Sequence, residues 1–106
     1  MYEHIVVFRF RSELTPAQED HLLSQLLSFQ ARIPGIVSMS AGRNATHETD
    51  NAHGFSLGLR ITFEDRDALL AYGPHPAHQQ FVASLSGLLE QVVVVDYEIA
   101  AGSARP

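Results

Sequence analysis

Four consecutive valines, Val92 to Val95, stand near the end of this 106-residue chain and run on into Asp96, Tyr97, Glu98 and Ile99. Valine is branched at Cβ and packs well on a pleated surface, so the run predicts a strand. Successive side chains of a strand point to opposite faces, so an unbroken apolar run sends apolar groups to both. Any fold this chain adopts must therefore find cover for both sides of its last strand.

The remaining elements follow from periodicity. Residues 2–11 alternate, with Tyr2, His4, Val6, Phe8 and Phe10 on one face and Glu3, Ile5, Val7, Arg9 and Arg11 on the other, which predicts a strand. Thr15-Pro16-Ala17-Gln18 reads as a helix start with a capping box. Leu22, Leu26, Phe29 and Ile33 then recur at helical spacing, widened by Leu23 and Leu27, until Pro34-Gly35. Residues 36–43 read as a second strand, and the polar stretch from Asn44 to His53 as a surface connection. Residues 54–64 alternate again, with Phe55, Leu57, Leu59, Ile61 and Phe63 sharing a face. Asp65 caps a short helix through Tyr72, Gly73-Pro74 breaks it, and Pro76 restarts it with a stripe of Phe81, Leu85, Leu88 and Leu89.

The order β-α-β-β-α-β, with the second helix broken, predicts an α+β chain of ferredoxin-like type. Its four-stranded antiparallel sheet carries both helices on one face. One domain is expected over residues 1–100, with residues 101–106 a flexible tail. The second face of the sheet is partly apolar, through Ile5, Val7 and the valine run. A second copy of the chain is its simplest cover, so a homodimer with facing sheets is expected.

Composition narrows the function. There are no cysteines, which removes disulfides and thiolate chemistry. The net charge is -5, with seven arginines, no lysines and no basic run, so no nucleic-acid partner is expected. No apolar stretch approaches the ~20 residues that span a bilayer, and the start lacks a basic signal-peptide region. No membrane partner and a cytoplasmic location are expected.

Six histidines are many for this length. His21, His47 and His53 fall on predicted surface. His4 falls on the core face of the first strand, and His75 and His78 bracket Pro76-Ala77 just after Tyr72. A histidine beside a tyrosine under a helical lid can serve as base and oxyanion donor toward an enolisable substrate. A structural alternative has His75 satisfying backbone groups at the helix break and His78 bonding back to the first strand. His4, His75 and His78 also make a three-histidine set, but no carboxylate spacing supports it, so no metal and no cofactor are expected. There is no GxSxG and no glycine-rich phosphate loop; Gly42 and Gly58 read as a loop lead-in and a strand bulge.

Several short motifs agree with one known family. They are His4-Ile5-Val6-Val7-Phe8, Thr15-Pro16, Ile33-Pro34-Gly35, Thr62-Phe63, Tyr72 with His75-Pro76-Ala77-His78, Phe81, and Val95-Asp96-Tyr97. In these the chain resembles the Dabb family, the stress-responsive A/B barrel domains, over roughly residues 3 to 98. The resemblance implies a ferredoxin-like subunit and a dimeric α+β barrel. Family members include plant stress-induced proteins, many bacterial proteins without a known activity, and a polyketide cyclase. That cyclase closes a linear polyketide by an intramolecular aldol reaction, with neither metal nor organic cofactor. Carried over residue by residue, it implies His78 as the base that removes a proton alpha to a carbonyl. Tyr72 would hold the developing oxyanion, and His4 and His75 would orient or polarise. Two positions depart: Leu57 stands where the cyclase has a histidine and Leu26 where it has a tyrosine, which makes the expected pocket more apolar.

The leading expectation is a Dabb domain that binds a small apolar, carbonyl-containing molecule between sheet and helices. The expected pocket is lined by Val6, Phe8, Leu26, Leu57, Leu59 and Phe81. The alternatives are a cofactor-independent, polyketide-cyclase-like enzyme and, by fold analogy, a cofactor-free monooxygenase-like barrel enzyme.

Overall fold

The computed structural model describes residues 1–100 and 102, so the expected tail lies outside the described residues except for Gly102. The elements in order are β1 (Tyr2–Phe10), α1 (Pro16–Leu27), α2 (Phe29–Arg32), β2 (Ile36–Arg43), α3 (Thr49–Ala52), β3 (Leu57–Phe63), α4 (Arg66–Tyr72), α5 (Pro76–Ser84) and β4 (Leu89–Glu98). The four strands form one sheet in the order β2-β3-β1-β4, and every neighbouring pair is antiparallel. This is the α+β, ferredoxin-like arrangement the element order predicted.

Local chemistry explains the helices. The Thr15 hydroxyl accepts the Gln18 amide at 3.1 Å while the Gln18 side chain accepts the Thr15 amide at 2.9 Å, a complete capping box. The helix stops earlier than its apolar stripe. The Ser28 hydroxyl donates back to the Gln25 carbonyl at 2.6 Å, and the stripe resumes in α2 with buried Phe29 and then Ile33. Asp65 caps α4 by accepting the Ala68 amide at 2.8 Å.

Four details differ from the sequence reading. The polar connection contains the one-turn helix α3, closed by His53 and Gly54 at positive φ. Phe55 precedes β3 rather than belonging to it. The last helix ends at Ser84, because Gly87 at φ 82° turns the chain; Leu88 lies in that turn and Leu89 begins β4. Gly58 makes no bulge. It pairs regularly with Gly42 and Val7, and the register shifts fall at Arg9/Phe10 and Ile36/Ser38 instead.

The core lies between the helices and one face of the sheet. Leu26, Phe29, Leu57, Ile61 and Phe63 are sealed there. The helices pack over β1, β2 and β3 and leave β4 at the open edge. Val92 to Val95 are therefore 41–52% exposed within one chain, although the sequence made both of their faces apolar. The other face of the sheet carries Ile5, Val7, Val93 and Val95. A polar cluster lies beside them: the buried Thr62 hydroxyl donates to Glu3 at 2.6 Å and accepts from Arg60 at 2.7 Å.

One glycine is required by both backbone and space. Gly35 has φ 87°, and a Cβ there would stand 2.5 Å from the Cβ of Ala68. The left-handed backbone alone costs a non-glycine residue roughly 1–2 kcal/mol. Gly35→Ala is expected to destabilise by about 2 kcal/mol or more, since the contact adds to that cost. Gly42→Ala, in β2 outside the left-handed region and with open space for a Cβ, is expected to be neutral or slightly stabilising. Urea unfolding of the two variants checks the contrast, and equal losses would contradict it.

Candidate functional site

A cavity of about 440 Å³ opens between α4 and α5 above and β1 and β4 below. Its walls are mostly apolar. Val6, Phe8 and Leu59 form the floor, Phe81, Val82 and Leu85 come from the end of α5, and Val92 and Val94 from the exposed strand. At one end stand four polar side chains, those of His4, Tyr72, His78 and Asp96. This size falls within the range that holds small organic ligands. No arginine is among the lining residues described.

The break between α4 and α5 builds the polar end. A helix end leaves carbonyls without intrahelical partners, and a proline two residues on cannot supply an amide. Gly73 therefore offers its carbonyl to the first turn of α5, where Nδ1 of His78 meets it at 2.9 Å and the side-chain Nε2 of Gln79 donates to it at 2.8 Å. A carbonyl only accepts, so Nδ1 of His78 carries the proton and Nε2 of the neutral ring carries the lone pair. His78 thus bonds to the helix break and not to the first strand.

Tyr72 is the last residue of α4 and is buried, packed edge-on against Phe63 and Phe29 with ring centroids 5.3 and 5.9 Å away. His78 lies 4.5 Å from its ring and His4 5.1 Å, so the phenol sits between two imidazoles. His4 itself is 8% exposed, and its Nδ1 meets Oδ1 of Asp96 at 2.5 Å. The Tyr72 hydroxyl and Nε2 of both histidines have no hydrogen-bond partner among the described residues. None of them is sealed off either: Oε1 of Gln25 is the sole buried side-chain polar atom found without a partner among those residues. These three groups are therefore open to the cavity that their residues line.

Burial sets the protonation. It pushes the Tyr72 phenol well above the usual tyrosine range, and the Asp96 charge adds to the effect, so the hydroxyl remains a donor. Burial also holds the His78 imidazole below the usual histidine range; the Gly73 carbonyl partly opposes this and a charge on His4 reinforces it.

Of the residues the sequence singled out, His4, Tyr72, His78, Val6, Phe8, Leu59 and Phe81 meet at this cavity. Leu26 and Leu57 do not line it. They are 1% and 2% exposed, Leu26 on α1 where it packs over β2 and Leu57 at the start of β3 in the same core. His75 does not reach it either. Its Nδ1 accepts the Ala77 amide at 3.1 Å as the N-cap that Pro76 at the first helical position leaves vacant, and the ring lies in a separate surface pocket beside Gly35 and Ala68. The His4, His75, His78 set is thus split between two pockets, and no group of three His, Asp or Glu side chains is placed to hold a metal among the described residues. Sequence reasoning missed Asp96 and the contribution of Val92 and Val94. The signal was available: these residues are in period with one another and pair with His4, Phe8 and Val6 once β4 lies beside β1.

The chain belongs to the Dabb family, the Stress responsive A/B Barrel Domain, which it matches over residues 2–99. It is similar to the olivetolic acid cyclase of Cannabis sativa, with 25% identity over 95 residues, 90% of this chain and 93% of that protein. Among solved structures, the hydroxynitrile lyase from Passiflora edulis superposes with a TM-score of 0.81 at 23% identity, covering 97% of this chain and 96% of that one. A dimeric ferredoxin-like protein of unknown function from Thermobifida fusca superposes with a TM-score of 0.79 at 23% identity, covering 92% and 90%. One fold thus serves proteins named for different reactions, and the choice among reactions rests on the site.

The sign of the pH effect follows from His78. Its folded value lies below its unfolded one, so the unfolded chain takes up this proton first as the solution is acidified. The stability it supports is complete above the ordinary imidazole value of about 6.5 and is lost as pH falls through the folded value. By proton NMR the His78 ring is expected to titrate with a midpoint below about 6.5. His78→Phe is expected to flatten the acid side of the Tm profile. A midpoint at or above the ordinary value would contradict the assignment.

Proposed function

We propose that the cavity binds a small apolar molecule through its carbonyl group, and that the site removes a proton from the carbon beside that carbonyl. One observation carries this reading: the Tyr72 hydroxyl and Nε2 of His78 both open into one largely apolar cavity, and the chemistry around each suits it to a different half of the step. Nε2 of His78, with its lone pair, takes the α-proton. The C–H electron pair becomes the enolate double bond, and the negative charge moves to the carbonyl oxygen. The Tyr72 phenol donates a hydrogen bond to that oxygen, in surroundings where such a bond counts for more than it does in water. An enolate held this way attacks a second carbonyl of the same molecule to close a ring, or is reprotonated. The likeness to a protein named as a cyclase favours the first outcome.

The exposed valines of β4, together with Ile5 and Val7, call for a second copy of the chain facing the first; the Thermobifida fusca protein is likewise described as dimeric. No helix among the described residues is long and apolar enough to cross a membrane. A cytoplasmic location suits a chain without cysteine.

In deuterium oxide, the protein is expected to speed α-proton exchange of the N-acetylcysteamine thioester of β-ketohexanoic acid, followed by proton NMR. Tyr72→Phe and His78→Ala are each expected to lower the rate by about hundredfold with the circular dichroism spectrum unchanged. Full exchange in both variants would end the catalytic reading. Saturable binding of the thioester without exchange would leave a binding domain. Light scattering at micromolar concentration is expected to show a dimer, and a monomer there would remove the facing-sheet assembly.

A further inference from the structure

The site holds two histidines in matching poses but with different partners. Each lines the cavity, commits Nδ1 to an acceptor and leaves Nε2 unbonded and not sealed off. For His78 the acceptor is a neutral peptide carbonyl, that of Gly73. For His4 it is the carboxylate of Asp96. A neutral carbonyl suits a neutral imidazole, whereas a carboxylate hydrogen-bonded to Nδ1–H also stabilises a proton on Nε2. Where two groups of one kind are given opposing surroundings, they take opposing roles in proton transfer.

We infer that Asp96 is a positioning residue for the proposed reaction: it holds His4 so that Nε2–H faces the cavity as the proton donor, opposite His78 as the proton acceptor. This rests on the reading of the cavity as a carbonyl site. Position agrees with it. Asp96 stands directly across from His4 in the β1–β4 register, at the cavity mouth, where its side chain is 42% exposed and reaches solvent protons. The His4 side chain is 10% exposed and packs edge-on against the Tyr72 and Phe63 rings, so it has little freedom to turn away. The proton balance closes. His78 takes the proton from carbon, the enolate pair forms the new C–C bond to the second carbonyl carbon, the π pair of that carbonyl moves onto its oxygen, and His4 supplies a proton to that oxygen. His78 then returns its proton to solvent, and His4 recovers one past Asp96.

Nitrogen NMR of the imidazole rings in the labelled full chain at neutral pH tests this without a ligand. The inference expects both nitrogens of His4 to be protonated while Nε2 of His78 is not. In Asp96→Asn, His4 is expected to lose the Nε2 proton and His78 to stay unchanged. Asp96→Glu keeps the charge and is expected to restore the wild-type pattern. The midpoint of urea unfolding is expected to change little in Asp96→Asn. A lone pair on Nε2 of wild-type His4, or a His4 spectrum that Asp96→Asn leaves in place, overturns the inference whatever the exchange assay gives. A loss of stability alone would make Asp96 a clamp between β1 and β4 and would overturn it equally. If the wild-type protein shows the expected nitrogen pattern but exchanges no α-protons, the carbonyl reading fails and the arrangement of His4 by Asp96 stands.

Discussion

Antiparallel pairing of β1 with β4 joins the two ends of the chain in one sheet, and the site depends on it. The register sets Phe8 against Val92, Val6 against Val94 and His4 against Asp96, so one face of this pair is both the floor of the cavity and its polar corner. β1 also pairs along its length with β3, which carries the sealed residues Leu57, Ile61 and Phe63. His4 is thereby held on the best-buttressed strand of the sheet, while Asp96 reaches it from the most exposed one. A pairing between residues so far apart in sequence forms only when loop-closure entropy has been overcome by the rest of the fold.

The second determinant is the interruption between α4 and α5. A continuous helix would satisfy its own carbonyls and leave none for a side chain. Gly73, Pro74 and Pro76 interrupt the ladder, and two histidines answer the interruption differently. His75 covers an amide at the start of α5 from outside the cavity, and His78 takes the Gly73 carbonyl from within it. That carbonyl decides which nitrogen of His78 is left free. Burial then favours the neutral imidazole of His78 and the protonated phenol of Tyr72, the two states that the proposed step uses.

Much of the fold was legible in the sequence because local rules govern it. The capping box at Thr15 and Gln18, the Asp65 cap, the stop at Gly35 and the alternation in β1 and β3 depend on near neighbours, and all formed. Errors fell where apolar residues continue past an element's end. Leu88 and Leu89 extend the stripe of α5, but the left-handed Gly87 turns the chain before they can join it. Phe55 fits the alternation of β3, yet lies before the strand starts. In the site, Tyr72, His78 and His4 were legible through their motif, whereas Leu26 and Leu57 were misplaced because apolar pocket and apolar core look alike in sequence.

The amino-acid order by itself determined the succession of strands and helices, the broken second helix, the absence of thiol chemistry and the apolar character of the last strand on both faces. Periodicity and composition are enough for these, since each depends on backbone preference or residue identity. Only the tertiary structure decided that β4 pairs with β1, that Asp96 meets His4, that His75 faces away while His78 faces inward, and which imidazole nitrogen opens to the cavity. Those outcomes rest on strand register, side-chain direction and burial. They belong to residues brought together from opposite ends of the chain, and no local pattern encodes them.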